Sequence, residues 1–160
     1  MNPEQRAHSI LEGLDAEQRE VALAVGGPVR VLAGAGTGKT RAITHRIAYS
    51  VVTGASEAER TLALTFTNRA AGEMRHRLLG LGVRGAQVRT FHAAALRQLR
   101  FFWPQLSRTA FPELMSSKAS IVARSLAHCK VDSDKALLRD VSGDIEWCKS
   151  NMMDSALIHK

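Results

Sequence analysis

Residues 29–45 read VRVLAGAGTGKTRAITH and join a short apolar run to a glycine-rich turn and then to an amphipathic segment. The apolar run at 29–33 predicts a buried strand. Residues 39 to about 52 predict a helix, because their apolar side chains recur on one helical face. A strand, a glycine turn and a helix in this order are the arrangement that a phosphate-binding loop requires.

The turn matches the P-loop pattern G-x-x-x-x-G-K-[ST], with an alanine in the first glycine position. Glycines let the backbone aim N–H groups at phosphate oxygens, and the following helix presents its positive end. The lysine of the pattern reaches the β- and γ-phosphates, and its threonine hydroxyl suits Mg²⁺. The predicted nucleotide contacts are Ala33, Gly34, Ala35, Gly36, Thr37, Gly38, Lys39 and Thr40. Lys39 and Thr40 are the predicted catalytic residues, and Thr40 is the predicted Mg²⁺ ligand. The alternative, a glycine-rich loop followed by a chance Lys-Thr, is disfavoured by the flanking strand and helix.

Further strands and helices alternate along the first two thirds of the chain. Asp15 is a predicted N-cap for a helix that reaches about residue 25. Residues 61–66 and 86–90 predict two more strands. Two more helices are predicted, one capped by Asn68 and one stopped by Pro104. This alternation predicts an α/β fold with a parallel sheet and flanking helices.

The pattern changes after Pro104, because no strand signal follows it. Predicted helices begin at Ser116-Ser117, at Asp132, and at Ser142 or Asp144, and they end near residues 128, 139 and 149. We therefore predict an α/β domain over 1–104 and a helical unit over 105–160. The last residues, DSALIHK, stop within an apolar-polar pattern without an evident cap, so we expect a truncated chain.

The charge balance favours a polyanionic partner. There are 22 Lys+Arg residues against 15 Asp+Glu, a formal charge of +7, which points first to nucleic acid, although simple solubility charge explains it equally well. The isolated Cys129 and Cys148 suit neither zinc nor a disulfide scaffold, so a cytoplasmic location is expected. No segment approaches 18 consecutive apolar residues, so no membrane partner is expected.

Four motifs carry a resemblance to a known family. They are LDAEQREVAL (14–23), VLAGAGTGKT (31–40), LALTFTNRAAGEM (62–74) and VRTFHAAALRQL (88–99). In order and spacing they resemble the Q motif and motifs I, Ia and Ib of UvrD/Rep-type superfamily 1 DNA helicases, and RFFWPQ resembles an actinobacterial UvrD-like subgroup. The resemblance implies a RecA-like P-loop NTPase domain (1A) over 1–104 and part of the helical 1B subdomain over 105–160. It also implies ATP and Mg²⁺ as cofactors, and single-stranded DNA or a duplex junction as the partner of a 3′-to-5′ translocating enzyme of unknown oligomeric state.

The resemblance implies two further nucleotide contacts. Gln18 would hydrogen-bond the adenine edge, since its amide offers a donor and an acceptor. The alternative for Gln18 is a capping box with Asp15. Arg41 would lie against the adenine, and its alternative is an ordinary exposed helix cation.

The resemblance also implies DNA contacts that follow the second and third predicted strands. They are Phe66, Thr67, Asn68, Arg69, Thr90 and His92. Phe66 would stack on a base and Arg69 would neutralise a phosphate, as single-strand binders require. The alternatives are a core aromatic for Phe66, a helix cap for Asn68, and a cap or surface residue for His92.

An ATP hydrolase of this class needs an acidic pair after an apolar strand to hold Mg²⁺ and position water. The candidates, 132–134 and 144–146, fit helix starts better. We therefore expect this chain alone to bind nucleotide weakly at best and to show no turnover. Two other functions stay open: a small P-loop kinase or NTPase, and a non-enzymatic nucleic-acid-binding module.

Overall fold

The computed structural model describes residues 2–34, 36–115 and 117–153. Contacts divide the chain into two units, Met1–Thr109 and Ala110–Lys160. The first unit contains helices α1 (Pro3–Leu11), α2 (Ala16–Leu23), α3 (Lys39–Val52), α4 (Asn68–Gly80) and α5 (Phe91–Leu106), with strands β1 (Leu62–Thr65) and β2 (Gln87–Thr90). The second unit contains α6 (Ala119–His128) and α7 (Lys135–Ser150). The α/β character of the first unit and the parallel pairing of its two strands are as predicted.

The helices that flank residues 33–40, the predicted phosphate loop, begin where the sequence indicates. The Asp15 carboxylate accepts the Gln18 N–H at 2.8 Å and caps α2. Helix α3 begins at Lys39 and ends at Val52, as predicted. Helix α1 was not predicted, although Asn2 and Gln5 form a capping box at its start with Pro3 in the first turn.

The sheet consists of β1 and β2, which pair in parallel with Thr65 opposite Thr90. Helix α4 connects them and buries Met74 and Leu78. The Arg75 guanidinium donates to the Val88 carbonyl at 2.9 Å and ties α4 to β2. Both strands therefore end at the same edge, immediately before α4 and α5.

The predicted strand at 29–33 is absent from the fold as described. Residues 28–34 have no regular structure, and the Leu32 side chain is 81% exposed. A strand needs a hydrogen-bonded neighbour, and β1 pairs only with β2 in the described ranges. A cavity of about 470 Å³, lined by Val31 and Leu64 among others, lies between this segment and β1.

Two helix boundaries in the first unit also differ from prediction. The N-cap of α4 is Thr67, whose hydroxyl accepts the Ala70 N–H at 3.1 Å, and Asn68 is the first helical residue. Helix α5 continues through Pro104 to Leu106. Because proline has no backbone N–H, this turn forms one intrahelical hydrogen bond fewer, but Pro104 does not end the helix.

The described part of the second unit, residues 110–115 and 117–153, contains two helices rather than the predicted three. Asp134 caps α7 by accepting the Leu137 N–H at 2.8 Å, so α7 starts later than Asp132. Ser142 does not restart the helix. Its hydroxyl donates to the Leu138 carbonyl at 2.6 Å, a bond made within a continuous helix.

The start of α6 also differs from prediction. Lys118 is its N-cap residue and no side chain caps it, so Ser117 is not the cap, and Ser116 lies outside the described residues. Lys118 instead forms an ion pair with Glu146 of α7. The hydrogen bond and positive charge of Lys118 lower the pKa of the Glu146 carboxyl. This ion pair joins the first turn of α6 to α7.

The core of the first unit is small and aliphatic. Its buried residues are Ile10, Ala48, Ala58, Ala63, Ala71, Met74, Leu78, Val83 and Val88. They come from α1, α3, α4, both strands and the connections between them. This core holds α1, α3 and α4 together with the two strands. None of the described helices has the length and apolarity needed to span a bilayer.

Candidate nucleotide and nucleic-acid sites

The phosphate loop turns at two glycines in left-handed conformation. Gly36 and Gly38 both have φ of +79°, a region that side chains with a Cβ rarely adopt. Gly38 is also the N-cap residue of α3. Ala35, immediately before Gly36, lies outside the described residues. The predicted turn chemistry of the loop is therefore present at both glycines.

Side chains of the loop bond to the backbone of the loop itself. The Thr37 hydroxyl donates to the Gly34 carbonyl at 2.9 Å. The Lys39 ammonium donates to the Ala33 carbonyl at 3.1 Å and also to that of Gly34. The ammonium group of Lys39 is thus held on the loop by these two carbonyls.

The first turn of α3 supplies further donors at the same place. The Ala42 N–H bonds to the Gly38 carbonyl at 3.0 Å, so the N–H groups of residues 39–41 precede the first intrahelical bond. Such groups, with the helix dipole, attract anions. Thr40 lies in this turn and is half-buried. Among the described residues, no cluster of three His, Cys, Asp or Glu side chains could hold a metal ion.

Gln18 reaches the loop from α2. Its Nε2 donates to the Thr37 carbonyl at 3.3 Å, while its backbone N–H is the one capped by Asp15. A Cβ at Gly38 would lie 2.5 Å from this Nε2, so Gly38 also permits the close approach of the Gln18 amide. The side chain of Gln18 therefore contacts the loop, and the cap uses only its backbone.

Arg41 is exposed and bonds to the segment before α2. Its Nη2 donates to the Gly13 carbonyl at 2.9 Å. Between α2 and residues 29–33 lies a cavity of about 450 Å³, lined by Gln18, Thr37 and Lys39 among others. Ligand pockets typically enclose 300–1,000 Å³, so a cavity of this size beside the loop suits a nucleotide.

A second group of predicted residues lies at the edge where β1 and β2 end. The Phe66 side chain is 89% exposed and Phe91 is 47% exposed, and their ring centroids are 5.1 Å apart. Phe66 is therefore not a core residue. Sequence reasoning missed Phe91, although the register that places Thr65 opposite Thr90 makes residues 66 and 91 equivalent.

The polar residues of this edge serve mainly as helix caps and surface groups. Thr90 is buried, and its hydroxyl accepts the Ala93 N–H at 3.2 Å as the N-cap of α5. Arg69 is exposed and pairs with Glu73 at 3.2 Å. Asn68 and His92 are exposed. The structure thus brings Thr67, Asn68, Arg69, Thr90 and His92 to one sheet edge beside the aromatic pair.

The geometry defines a class of protein: an α/β unit in which a glycine-rich turn leads into a helix and an exposed aromatic pair lies at the strand ends. The profile of the family described as "UvrD/REP helicase N-terminal domain" matches residues 14–159. The chain belongs to this family, and the resemblance inferred from its four motifs is confirmed.

Named relatives agree with this assignment. The chain is 49% identical over 152 residues to the ATP-dependent DNA helicase UvrD2 of Mycobacterium tuberculosis, covering 90% of this chain and 22% of the relative. It is 37% identical to UvrD1 of the same organism, covering 87% of this chain and 17% of the relative. It is 32% identical to PcrA of Bacillus subtilis, covering 92% of this chain and 21% of the relative. The chain spans about a fifth of the length of these relatives.

Proposed function

We propose that this chain forms the nucleotide-binding part of an ATP-dependent DNA helicase that moves 3′ to 5′ along single-stranded DNA. In this proposal residues 1–104 belong to a RecA-like P-loop motor domain and residues 105–160 to part of a helical 1B subdomain. The family match and the names of the relatives support the helicase class. Free thiols at Cys129 and Cys148 are typical of a reducing compartment and support a cytoplasmic location.

One observation supports the nucleotide site above all others. Gly36 and Gly38 are left-handed, α3 begins directly after them, and the Lys39 ammonium lies on the same loop. The loop brings together backbone N–H groups, a helix N-terminus and a lysine, as the binding of a nucleoside triphosphate requires. We therefore assign the ATP phosphates to residues 33–40.

Different residues of the chain would bind the phosphates, the Mg²⁺ ion and the base of the nucleotide. Lys39 would exchange its loop carbonyls for the β- and γ-phosphate oxygens. The Thr40 hydroxyl would supply one oxygen to Mg²⁺, which when bound neutralises charge that develops on the phosphates. Gln18 would read the adenine edge from the rim of the loop, and Arg41 would cover the base after leaving the Gly13 carbonyl.

The DNA strand would cross the edge where β1 and β2 end. Ligands of open parallel sheets collect at the carboxyl ends of the strands. Phe66 is the best placed side chain for stacking on a base, since most of its surface is exposed. Thr67, Asn68, Arg69, Thr90 and His92 would contact the sugar-phosphate backbone around it, and a duplex junction would lie further along the same strand.

We propose that this chain binds ATP without turning it over. Asp134 caps α7, and Glu146 pairs with Lys118, so these carboxylates already have structural roles. Asp132 and Asp144 follow no strand in the described ranges. ATP hydrolysis coupled to translocation would then belong to the longer protein that the relatives exemplify.

The proposal is tested by titrating the chain with Mg·ATP in a calorimeter. Lys39→Met should weaken binding about tenfold or more, because it removes a charged hydrogen-bond donor to phosphate. Lys149→Met, an exposed lysine of α7, is the matched control and should leave the affinity unchanged. Equal affinity of the wild type and Lys39→Met would contradict the assignment of the loop.

A further inference from the structure

Arg46 lies on α3 two turns after the P-loop lysine, and its guanidinium bonds away from the loop. Its Nε donates to the Ala24 carbonyl at 2.8 Å, and its Nη2 lies 3.4 Å from the Gly27 carbonyl. Ala24 is the C-cap residue of α2, and Gly27 belongs to the turn that leads toward the phosphate loop. The Arg46 side chain thus links α3 to the C-terminal end of α2 and to the turn that precedes the phosphate loop.

The hydrogen bond from Arg46 satisfies a backbone carbonyl at the C-terminal end of α2. The last carbonyls of a helix have no intrahelical partner, and a cation beside them complements the helix dipole. The planar fork of an arginine can serve two such carbonyls at once. Helix α2 has 8 residues, too few to be stable alone, so its place depends on what it packs against.

Two arginines of α3 hydrogen-bond to backbone carbonyls at the two ends of α2. Arg41 donates to the Gly13 carbonyl before α2, and Arg46 donates to the Ala24 carbonyl after it. Between these attachments, Ala22 is fully buried and Gln18 extends toward the loop. The Gln18 contact to the Thr37 carbonyl is long, at 3.3 Å, so a small displacement of α2 would break it.

We propose that Arg46 is a positioning residue for Gln18. By holding the end of α2 against α3, it keeps the Gln18 amide at the rim of the phosphate loop. This inference rests on the proposed nucleotide function of that loop. Arg46 makes no hydrogen bond to residues 33–40 in the described structure and does not line the 450 Å³ cavity beside the loop. Substitution of Arg46 should therefore weaken the binding of the base and leave the binding of the phosphates unchanged.

Two probes separate these effects: Mg·ATP, which has a base, and inorganic tripolyphosphate, which has none. Arg46→Met should weaken ATP binding about fivefold, the value of a typical lost hydrogen bond. Its tripolyphosphate affinity should stay within about twofold. Arg46→Lys, which keeps one donor, should recover part of the loss. Arg97→Met, an exposed arginine of α5, is the matched control and should change neither affinity.

A double variant shows whether Arg46 acts through Gln18. If it does, Gln18→Ala with Arg46→Met should bind ATP no more weakly than Gln18→Ala alone. Losses that add fully, or an equal loss of ATP and tripolyphosphate affinity in Arg46→Met, would overturn the proposal. So would a Gln18→Ala variant that binds ATP as the wild type does.

Amide hydrogen exchange tests the same claim without any nucleotide. Arg46→Met should speed exchange across residues 18–24 about tenfold relative to Arg97→Met, because the end of α2 is released. Unchanged exchange there would overturn the positioning role even if ATP binds. If the wild type binds neither probe while α2 exchange responds as expected, the proposed nucleotide function fails and the structural link made by Arg46 stands.

Discussion

The phosphate loop and the strand-end edge of the same unit present opposite kinds of surface. At the loop, the polar side chains of Gln18, Thr37 and Lys39 all bond to loop carbonyls. At the strand ends, Phe66 is largely exposed, and its ring lies beside that of Phe91. A ligand at the loop would have to replace these internal hydrogen bonds, whereas a ligand at the aromatic pair would meet a ring that is already exposed.

This difference has an energetic consequence. Replacing one hydrogen bond with another changes the free energy little unless the new partner carries more charge, as a triphosphate does. An exposed ring gains free energy from any flat partner that covers it. The two sites should therefore respond to different ligands and to different substitutions.

Among the substitutions that distinguish the two sites, Phe66→Ala should have the largest effect, and this effect is on DNA binding. Loss of the stacking ring should weaken binding of an oligo-dT strand by about 1–3 kcal/mol, measured by fluorescence anisotropy. Mg·ATP affinity should be unchanged. The matched control is Phe101→Ala, which removes a ring that is 71% exposed further along α5. A loss with Phe101→Ala as large as with Phe66→Ala would mean that the strand-end edge has no special role.

Substitution of Thr67 tests whether this polar group at the strand ends stabilises the fold as a helix cap. Thr67→Val removes the N-cap of α4 and should lower the free energy of unfolding by about 1 kcal/mol. Thr67→Ser keeps the hydroxyl and should restore most of it. Urea denaturation followed by circular dichroism measures both variants, and equal stability of the valine and serine variants would exclude the capping role.

The smallest effect is expected from Glu146→Gln, which lies outside both sites. The pKa of Glu146 is lowered by Lys118, so its charge contributes stability above the ordinary glutamate pKa of about 4.3 and this contribution is lost as pH falls through the lowered value. The variant should be slightly less stable than wild type at pH 7, with a smaller difference at pH 3. Neither ATP nor DNA affinity should change.

Thermal unfolding at the two pH values measures this difference. Because the ion pair is solvent-exposed, its effect should be small and should decrease in high salt. A stability difference at pH 3 as large as the one at pH 7 would show that the ion pair is not its cause.

Local signals were enough to predict the parts of the fold that depend on neighbouring residues. The caps at Asp15 and the glycines before Lys39 set α2 and α3, because each acts within one turn of chain. The same local chemistry was present at Asn2 and Gln5 but was overlooked in a polar segment. Thr67 and Asn68 are both good capping residues, so only the backbone conformation distinguishes them.

Features that depend on distant residues could not be predicted in this way. The apolar run at 29–33 has the composition of a strand, but a strand exists only with a hydrogen-bonded neighbour, which composition does not specify. The pairing of Phe66 with Phe91 follows from the register of β1 against β2. Arg46 also looks like an ordinary helix cation until the end of α2 is placed beside it.

The most direct test of the account is to map both ligands on the amide resonances of one isotope-labelled sample. Inorganic tripolyphosphate should shift the amides of Gly36, Gly38 and residues 39–41, and leave those around Phe66 and Phe91 unchanged. An oligo-dT strand should shift the amides of residues 66–69 and 90–92 and leave the loop unchanged. Shifts from tripolyphosphate that centre on the strand ends or on α6 and α7, with none at the loop, would contradict the account.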